Sequence, residues 1–258
     1  MGLFGKIFDK KECAICGGEI GLMGNKKLAD GNMCKECAAK LSPWFSERKQ
    51  STVEEIKEQL AYREENLEAV RAFNTTRSIG KGTKVLIDED AGKFAVTSAR
   101  DLEKDNPDIL DFTQVTGVDI DVNESRMEEK RKDKEGKMVS YVPPRFKYSY
   151  SFYAIIRVNH PYFDTMKFSL SNGSISINPR DPVPESRKPD PGSNLEFREC
   201  EEMGRELKQT LTQSRQRARR EAAQANAPKA AVTCPWCGAT TTPNASGCCE
   251  YCGGALNG

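Results

Sequence analysis

Eight of the ten cysteines in this 258-residue chain form four CxxC pairs, two near each end of the sequence. The eight residues are Cys13, Cys16, Cys34, Cys37, Cys234, Cys237, Cys249 and Cys252. A CxxC turn directs two thiolates at one metal ion, and two such turns complete the tetrahedral coordination that Zn²⁺ prefers. The spacing therefore predicts two structural Zn²⁺ ions, each bound by four cysteines, with no coordination position left for a substrate.

The two remaining cysteines add no ligand to either set. Cys248 is adjacent to Cys249, and we assign Cys249 as the ligand because pairing Cys248 with Cys252 would leave a less usual three-residue gap. The alternative, in which Cys248 replaces Cys249, stays open at this point. Cys200 stands alone in a predicted helix, and we interpret it as a small buried hydrophobic residue rather than a nucleophile.

The cysteine pattern and the composition together predict a cytoplasmic protein. Zinc binding needs reduced thiolates, whereas the competing interpretation, a disulfide framework, needs an oxidising compartment. No segment has the ~20 apolar residues of a membrane-spanning helix, and residues 1–12 are too short and too interrupted for a secretory signal. Lys and Arg number 39 against 38 Asp and Glu, so that a nucleic acid or an anionic membrane would need a local basic patch.

Residues 1–12 form a short apolar and basic leader, which contains Leu3, Phe4, Ile7 and Phe8. Such a segment can lie on a membrane surface or dock on a partner. A frayed or self-docked terminus is the alternative, because short isolated helices are marginally stable in water. The leader thus keeps a peripheral membrane location open as a minor hypothesis.

Residues 13–43 have the knuckle, hairpin and short helix of a treble-clef-like zinc finger. A connecting helix over residues 51–73 follows, because Ser51–Glu55 contains overlapping capping boxes and apolar residues then recur every three or four positions. We expect this apolar stripe to pack against the central domain. A coiled-coil dimer is the alternative use, but the stripe is short and Arg63 interrupts it.

From residue 74 the hydrophobic period changes from 3.6 to 2, which predicts β-strands. The main predicted strands are residues 83–88, 93–97, 114–123 and 145–158, followed by shorter stretches at 166–170 and 175–177. We interpret the charged run 128–137 as a solvated hairpin tip or a loose loop. A helix that begins near Ser193 is expected to seal the strands with Leu195, Met203, Leu207 and Leu211.

This order of strands and a closing helix, over residues 74–212, resembles the small pleckstrin-homology-like (PH-like) domains of bacteria. The resemblance implies an α+β fold, in which an antiparallel PH-like β-barrel is closed by a C-terminal helix and flanked by two small zinc modules of four cysteines each. Many such domains bind phosphoinositides or peptides. The first hairpin contains Glu89 and Asp90 beside Lys93, which does not suit a phosphate cradle, so the resemblance implies a groove for a protein or peptide.

Residues 213–231 form a basic, alanine-rich helix end and linker. Its arginines are Arg215, Arg217, Arg219 and Arg220. We interpret them as a solvated helix end, with a phosphate-binding patch for RNA, DNA or lipid headgroups as the alternative. The last segment, residues 232–258, resembles the short zinc ribbons of many bacterial proteins, with CPxCG at one knuckle and CxxCG at the other.

Other reactive residue types follow no recognised catalytic pattern. The single histidine, His160, falls in a predicted turn. Asp119-x-Asp121-x-Asn123 resembles the start of a calcium-binding loop, but Glu124 stands where that loop needs glycine. No glycine-rich phosphate-binding loop is present in the sequence. We therefore expect a protein that is not an enzyme and has no small-molecule substrate.

The MGLF start, the segment Cys13–Pro43 and the segment Ser51–Asn66 resemble those of an uncharacterised bacterial family that is described by its domain rather than by an activity. We expect a zinc-binding scaffold or adaptor that binds a protein or peptide partner through the PH-like barrel and the fingers. One alternative is a nucleic-acid-binding regulator that uses the fingers and the Arg215–Arg220 cluster. The other is a peripheral membrane-surface protein.

Overall fold

The computed structural model describes residues 11–21, 23–178, 180–225, 231–244 and 246–256. The chain divides into two compact units, Met1–Gln216 and Arg217–Gly258. Most of the predicted leader, residues 1–10, and part of the predicted linker, residues 226–230, lie outside the described residues. Among the helices that are described, none is long and apolar enough to cross a membrane.

The N-terminal finger consists of two short hairpins and one helical turn. Its elements are β1 (Lys11–Glu12), β2 (Glu19–Ile20), β3 (Lys26–Lys27), β4 (Asn32–Met33) and α1 (Lys35–Ala38). β1 pairs with β2, and β3 pairs with β4. The buried side chains of Leu28, Met33 and Leu41 form the core of the finger. The predicted hairpin and helix are therefore both present.

Helix α2 (Val53–Ala72) begins at a capping box that the sequence predicts. The Thr52 hydroxyl accepts a hydrogen bond from the backbone N–H of Glu55, and the Glu55 carboxylate accepts one from the N–H of Thr52 at 2.7 Å. Ile56 is buried in the core of the finger, and Val53 and Leu60 pack beside it. The expectation that the apolar stripe packs on the central domain is thus wrong for this half of the helix.

Two antiparallel sheets form the centre of the first unit. The strand order of the first sheet is β5 (Arg77–Ile79), β6 (Lys84–Asp88), β7 (Lys93–Thr97) and β8 (Leu110–Asp111). The helical turn α3 (Leu102–Asp105) lies between β7 and β8 along the chain. β6 and β7 form the predicted hairpin, and Gly92 takes a positive φ of 68° in its turn, a conformation that glycine adopts without strain.

The second sheet is built around one long strand, β10. Its strands are β9 (Val115–Lys132), β10 (Met138–Val158), β11 (Thr165–Ser169), β12 (Ile175–Ser176) and β13 (Val183–Pro184). β9 pairs with β10 over most of its length, and the three short strands pair with successive parts of β10. Alternate residues from Tyr148 to Val158 are buried, as the sequence pattern predicts.

Helix α4 (Leu195–Ala225) packs on the second sheet. The Phe197 ring lies 5.2 Å from the Tyr150 ring and 5.0 Å from the Phe152 ring, measured between centroids. Gly204 faces Ile120 so closely that an added Cβ would lie 3.1 Å from its side chain. A small residue is therefore needed where α4 crosses β9.

The sealing face of α4 differs in part from the prediction. Leu207 and Leu211 are buried as expected, but Leu195 is 64% exposed because it stands at the first position of the helix. Phe197 takes the place that the pattern assigned to Leu195. Cys200 is fully buried, as the interpretation of a small hydrophobic residue requires, and burial raises the pKa of its thiol.

The strand pairing does not close the two sheets into a barrel. Across the residues that the structure describes, no strand of the first sheet pairs with a strand of the second. β8 is only two residues long, and the chain makes a helical turn at Phe112–Gln114 before β9 begins. The observed fold class is therefore α+β with mostly antiparallel sheets and two cysteine-rich modules, and the closed PH-like barrel is not confirmed.

A two-stranded ribbon, residues 124–147, extends β9 and β10 beyond the buried part of the second sheet. β9 continues to Lys132, so the first half of the charged run 128–137 is strand, and the second half, residues 133–137, forms the predicted hairpin tip. The Asp133 carboxylate holds the tip by accepting hydrogen bonds from the N–H groups of Glu135 and Lys137, both at 2.9 Å. Residues 141–144 are looped out of the strand pairing.

The second unit contains one short hairpin among its described residues, in which β14 (Val232–Thr233) pairs with β15 (Thr240–Thr241). A bridge between Cys248 and Ala255 holds its C-terminal turn. The chain therefore forms two knuckle turns here, which carry the four C-terminal cysteines.

A buried salt bridge joins the finger, α2 and the loop that leads to β8. Arg63 Nη1 donates to Asp108 Oδ1 at 2.8 Å, and both side chains are buried. The other nitrogens of Arg63 donate to the backbone carbonyls of Lys40 and Asn106. The second carboxylate oxygen of Asp108 accepts from Ser42 Oγ at 2.8 Å. The charge that interrupts the apolar stripe of α2 is thus matched by a charge from another part of the chain.

Two more polar residues of α2 complete this network. The Tyr62 hydroxyl donates to Asp108 at 3.0 Å. The Asn66 amide donates to the carbonyl of Pro107 at 2.8 Å and accepts from the N–H of Ile109 at 3.0 Å. Satisfied hydrogen bonds offset the cost of burying these groups, and they also define one position of the loop on the helix.

We expect the substitution Asp108→Asn to destabilise the first unit. It leaves the Arg63 guanidinium buried without a counter-charge, which costs about 3–5 kcal/mol. Urea unfolding followed by far-UV circular dichroism should therefore show a clearly lower midpoint. The matched control is Glu103→Gln, which removes the exposed pair with Arg71 and should change the midpoint little. Equal effects of the two substitutions would contradict this account.

Candidate metal centres

The N-terminal cluster brings together the four cysteines of the finger, Cys13, Cys16, Cys34 and Cys37. All four Sγ atoms lie within 4.8 Å of one another. Gly17 has a φ of 71°, and its N–H donates to the carbonyl of Cys13 at 2.8 Å, which turns the first knuckle back on itself. The second pair lies at the start of α1, where the Cys34 side chain caps the helix.

Backbone N–H groups favour the thiolate form at this cluster. The N–H of Cys34 donates to Cys13 Sγ at 3.2 Å, and the N–H of Cys37 donates to Cys34 Sγ at 3.3 Å. Burial disfavours ionisation of Cys13, but the N–H groups of Cys16, Cys34 and Ile15 outweigh it and lower the pKa of Cys13 to about 6. Burial and the neighbouring thiols raise the pKa of Cys37. The four sulfurs therefore need a cation before all of them can ionise.

The C-terminal cluster repeats this geometry with Cys234, Cys237, Cys249 and Cys252, whose Sγ atoms also lie within 4.8 Å of one another. Each knuckle turns at a glycine with positive φ, 75° at Gly238 and 71° at Gly253. The N–H groups of these glycines donate to the carbonyls of Cys234 and Cys249 at 2.8 and 2.9 Å. Two separate segments of sequence thus form the same metal-binding turn.

The C-terminal cysteines also differ in how readily their thiols ionise. Burial disfavours the Cys234 thiolate, but the N–H groups of Cys237 and Trp236 outweigh it and lower the pKa of Cys234 to about 7. The N–H of Gly254 favours the Cys252 thiolate, but the neighbouring Cys237 and Cys234 sulfurs outweigh it and raise the pKa of Cys252 to about 12. A bound cation would remove this repulsion between sulfurs.

The sulfur spacing fits a tetrahedral metal site and does not fit disulfides. The Sγ–Sγ distances are 3.9 Å for Cys16–Cys34, 3.5 Å for Cys234–Cys252 and 3.7 Å for Cys237–Cys249. Zn–S bonds of about 2.3 Å place two ligands of a tetrahedron about 3.8 Å apart, whereas a disulfide needs about 2.05 Å. None of the ten cysteines, all of which the structure describes, forms a disulfide. Each cluster can therefore hold a metal ion, with a geometry consistent with zinc.

The structure places Cys249, rather than Cys248, in the second cluster. Cys249 is buried, whereas the Cys248 thiol points towards the carbonyl of Ser246 at 3.7 Å. The backbone N–H of Cys248 donates to the Asn244 side chain at 2.9 Å, which holds the residue in its turn. The directions of the two side chains thus favour Cys249 over Cys248 as the ligand.

The remaining polar motifs make contacts other than metal binding. Asp119 forms ion pairs with Arg157 and Lys208, and Asp121 forms one with Lys167 at 3.3 Å. The calcium-like pattern is therefore a row of carboxylates that lysine and arginine side chains neutralise. These partners lie on β10, β11 and α4, so the two carboxylates link β9 to three other elements of the central domain.

The arginine cluster at the end of α4 is partly engaged. Arg215 donates to the carbonyl of Thr116 at 2.8 Å, and Arg217 pairs with Glu221 at 2.9 Å. Arg219 and Arg220 are exposed. The interpretation of a solvated helix end therefore fits Arg219 and Arg220 but not Arg215, which is held against β9. The phosphate-binding alternative stays a proposal.

His160 is surrounded by aromatic rings, which the sequence reasoning missed. Its Nδ1 accepts a hydrogen bond from the N–H of Tyr162 at 3.3 Å, and its ring stacks on Phe163 with centroids 4.2 Å apart. Burial lowers the pKa of His160, so that the imidazole is neutral at neutral pH. The sequence contained one signal for this aromatic cluster, namely the pairs of adjacent aromatic residues at Trp44–Phe45 and Tyr162–Phe163.

We expect metal analysis of the reduced, purified chain to find about two equivalents of zinc. Cys249→Ser should release about one of them, because a ligand of the second cluster is lost. Cys248→Ser, one residue away, is the matched control and should keep both. Equal metal loss in the two variants, or fewer than about two equivalents in the unmodified chain, would contradict the assignment.

Residues 11–59 match the sequence model of a family described as Domain of unknown function (DUF4428). Comparisons with curated proteins and with solved structures found no match. The matched segment contains all four cysteines of the first cluster and the beginning of α2. In this segment, therefore, the chain is similar to a domain of unknown function, and its own first four-cysteine cluster lies within the matched residues.

Proposed function

We propose that this chain is a zinc-stabilised adaptor that binds a protein partner along the ribbon of residues 124–147. The observation that carries the proposal is a set of large apolar side chains that the ribbon exposes. Met127 is 61% exposed, Met138 is 54% exposed and Val142 is 95% exposed. Exposed apolar groups on one projecting element are typical of a protein-binding surface.

The backbone of the ribbon supports the same proposal. β9 and β10 pair with each other, and β13 reaches β10 only at Arg145 and Phe146. Beyond these residues the outer edges of both strands carry N–H and C=O groups that can pair with a strand of a partner. The ribbon thus combines apolar side chains with a template for strand addition.

Zinc is the metal that this proposal assigns to both clusters. Four thiolates suit a structural zinc site better than sites for harder cations, which prefer oxygen ligands. The N-terminal finger has only a small core around Leu28, Met33 and Leu41, so that it depends on the metal for stability. Zinc binding of this kind contributes about 10–16 kcal/mol to folding at neutral pH.

The two central sheets and α4 form, in this proposal, the PH-like domain that the sequence resembles. Supporting it are a first antiparallel sheet of four strands, a second antiparallel sheet, and a C-terminal helix that packs through Phe197, Leu207 and Leu211. The domain would present the ribbon, and the fingers would contribute further binding surface.

The combined substitution Met127→Ser, Met138→Ser and Val142→Ser tests the adaptor proposal. We expect proteins captured by the full chain from cells of its source to be lost, because the apolar contact surface is removed. Leu195→Ser is the control, since Leu195 is 64% exposed but lies at the start of α4, outside the ribbon and the fingers. Capture that is the same for the ribbon variant and the full chain, or no specific capture at all, would refute the proposal.

A second candidate function, nucleic-acid binding, is favoured by the charge of the outer ribbon, which we define as residues 130–145. The cations of residues 130–145 are Lys130, Arg131, Lys132, Lys134, Lys137 and Arg145. None forms an ion pair with any residue of the described chain, and the only carboxylates in this stretch are Asp133 and Glu135. Arg131 and Arg145 flank the Tyr141 ring at 5.7 and 4.8 Å. Such a surface suits phosphates and bases.

Fluorescence anisotropy with labelled single-stranded and duplex DNA tests the second candidate. Affinity should fall steeply between about 50 and 200 mM salt, and Lys130→Gln with Lys132→Gln should flatten that dependence by about one to two phosphate contacts. The control is Lys26→Gln with Lys27→Gln in the finger. If the finger variant lost more affinity for DNA than the ribbon variant, the binding surface would be assigned to the finger. If the full chain showed no salt-dependent binding of DNA, this function would be rejected.

A further inference from the structure

A pocket of about 390 Å³ lies where the loop after the finger meets the turn after β10. This volume falls within the roughly 300–1,000 Å³ of ligand-binding pockets. Trp44 and Phe45 line it from the loop, and His160, Tyr162 and Phe163 line it from the turn. Two segments that are distant in the sequence therefore build one aromatic pocket.

The aromatic residues of the turn are held in place by one another. The His160 ring stacks on Phe163, and it meets the edge of the Tyr62 ring at a centroid distance of 5.0 Å. Tyr162 lies 5.3 Å from Tyr62 by the same measure. Because Tyr62 also donates to the buried Asp108, the pocket is anchored to the central polar network. A preformed pocket loses little entropy when it binds a ligand.

The charge of the pocket is negative. Its lining contains the carboxylates of Glu47 and Asp164 and includes no lysine or arginine. Neither carboxylate forms an ion pair with a residue that the structure describes. Burial, together with the nearby carboxylates of Glu58 and Glu65, raises the pKa of Tyr162. The neutral His160 contributes no compensating positive charge.

One residue of the lining, Trp44, has a donor without an acceptor. The Trp44 indole N–H is buried, and no described atom accepts a hydrogen bond from it. Because this N–H is not accessible from the pocket, the ligand is selected by the aromatic rings and the carboxylates, which together favour a flat cation.

We propose that this pocket binds an arginine side chain of a peptide. The guanidinium is planar, stacks on aromatic rings and donates to carboxylates, which are the groups that line the pocket. This site is separate from the ribbon, so that it does not depend on the adaptor proposal, and the two can fail independently.

Nuclear magnetic resonance of the full, zinc-loaded chain with ¹⁵N-labelled tryptophan tests the proposal. The chain has two tryptophans, and Trp236 in the second unit is an internal reference. We expect N-acetyl-arginine methylamide to shift the indole signal of Trp44 with saturation and to leave that of Trp236 unchanged. The citrulline analogue has a similar shape and no charge, and it should bind at least about tenfold more weakly.

Substitution of the two lining carboxylates provides the second readout. Glu47→Gln with Asp164→Asn should weaken arginine binding about fivefold or more. The matched control, Asp90→Asn with Glu135→Gln, makes the same change of charge at exposed carboxylates elsewhere and should leave the affinity unchanged. Because all four carboxylates are at exposed positions, these variants are expected to remain folded.

Three results would overturn the proposal. The first is an equal response to the arginine and citrulline compounds, which would show that charge is not recognised. The second is an absence of a saturable shift at Trp44. The third is tighter binding of tetramethylammonium, which has no acceptor group and no planar donors, than of the arginine compound. That result would assign the pocket to a small free cation instead of a peptide.

Discussion

The buried carboxylate of Asp108 imposes the constraint on which the first unit depends. A charge inside a protein needs a counter-charge and hydrogen-bond donors, because burial removes its water. Arg63 and Tyr62 supply these from α2, and Ser42 supplies one from the end of the finger. The donors and the acceptor come from three segments, so satisfying Asp108 requires one arrangement of the finger, the helix and the loop. The same contact holds the Tyr62 ring, which packs against His160 and Tyr162 of the aromatic pocket.

The two cysteine clusters also need hydrogen-bond donors and a counter-charge, but here no side chain that the structure describes supplies the counter-charge. In each cluster the knuckle N–H groups favour some thiolates, while the nearby sulfurs disfavour ionisation of others. Every member of each cluster is a cysteine, so a metal ion held there would be the counter-charge that lets all four ionise. Such an ion would also stabilise turns whose own apolar cores are small.

The two surfaces proposed for binding differ in chemistry. The outer ribbon is cationic and exposes large apolar side chains, whereas the pocket at Trp44 is aromatic and bordered by carboxylates. Because the two surfaces have opposite charge, they favour different ligands, and a ligand of one surface is disfavoured at the other. Both belong to the unit Met1–Gln216.

The sequence by itself determined the features that depend on residues a few positions apart. These are the eight cysteines of the two clusters, the capping box at Thr52, the hairpin of β6 and β7, and the alternation along β10. Only the tertiary structure decided the partner of Arg63, which lies 45 residues away, the length of the ribbon, the exposure of Leu195 and the meeting of Trp44 with His160. The reason is physical: local patterns determine which face of an element is apolar, whereas a contact between distant segments depends on how several such faces pack at once.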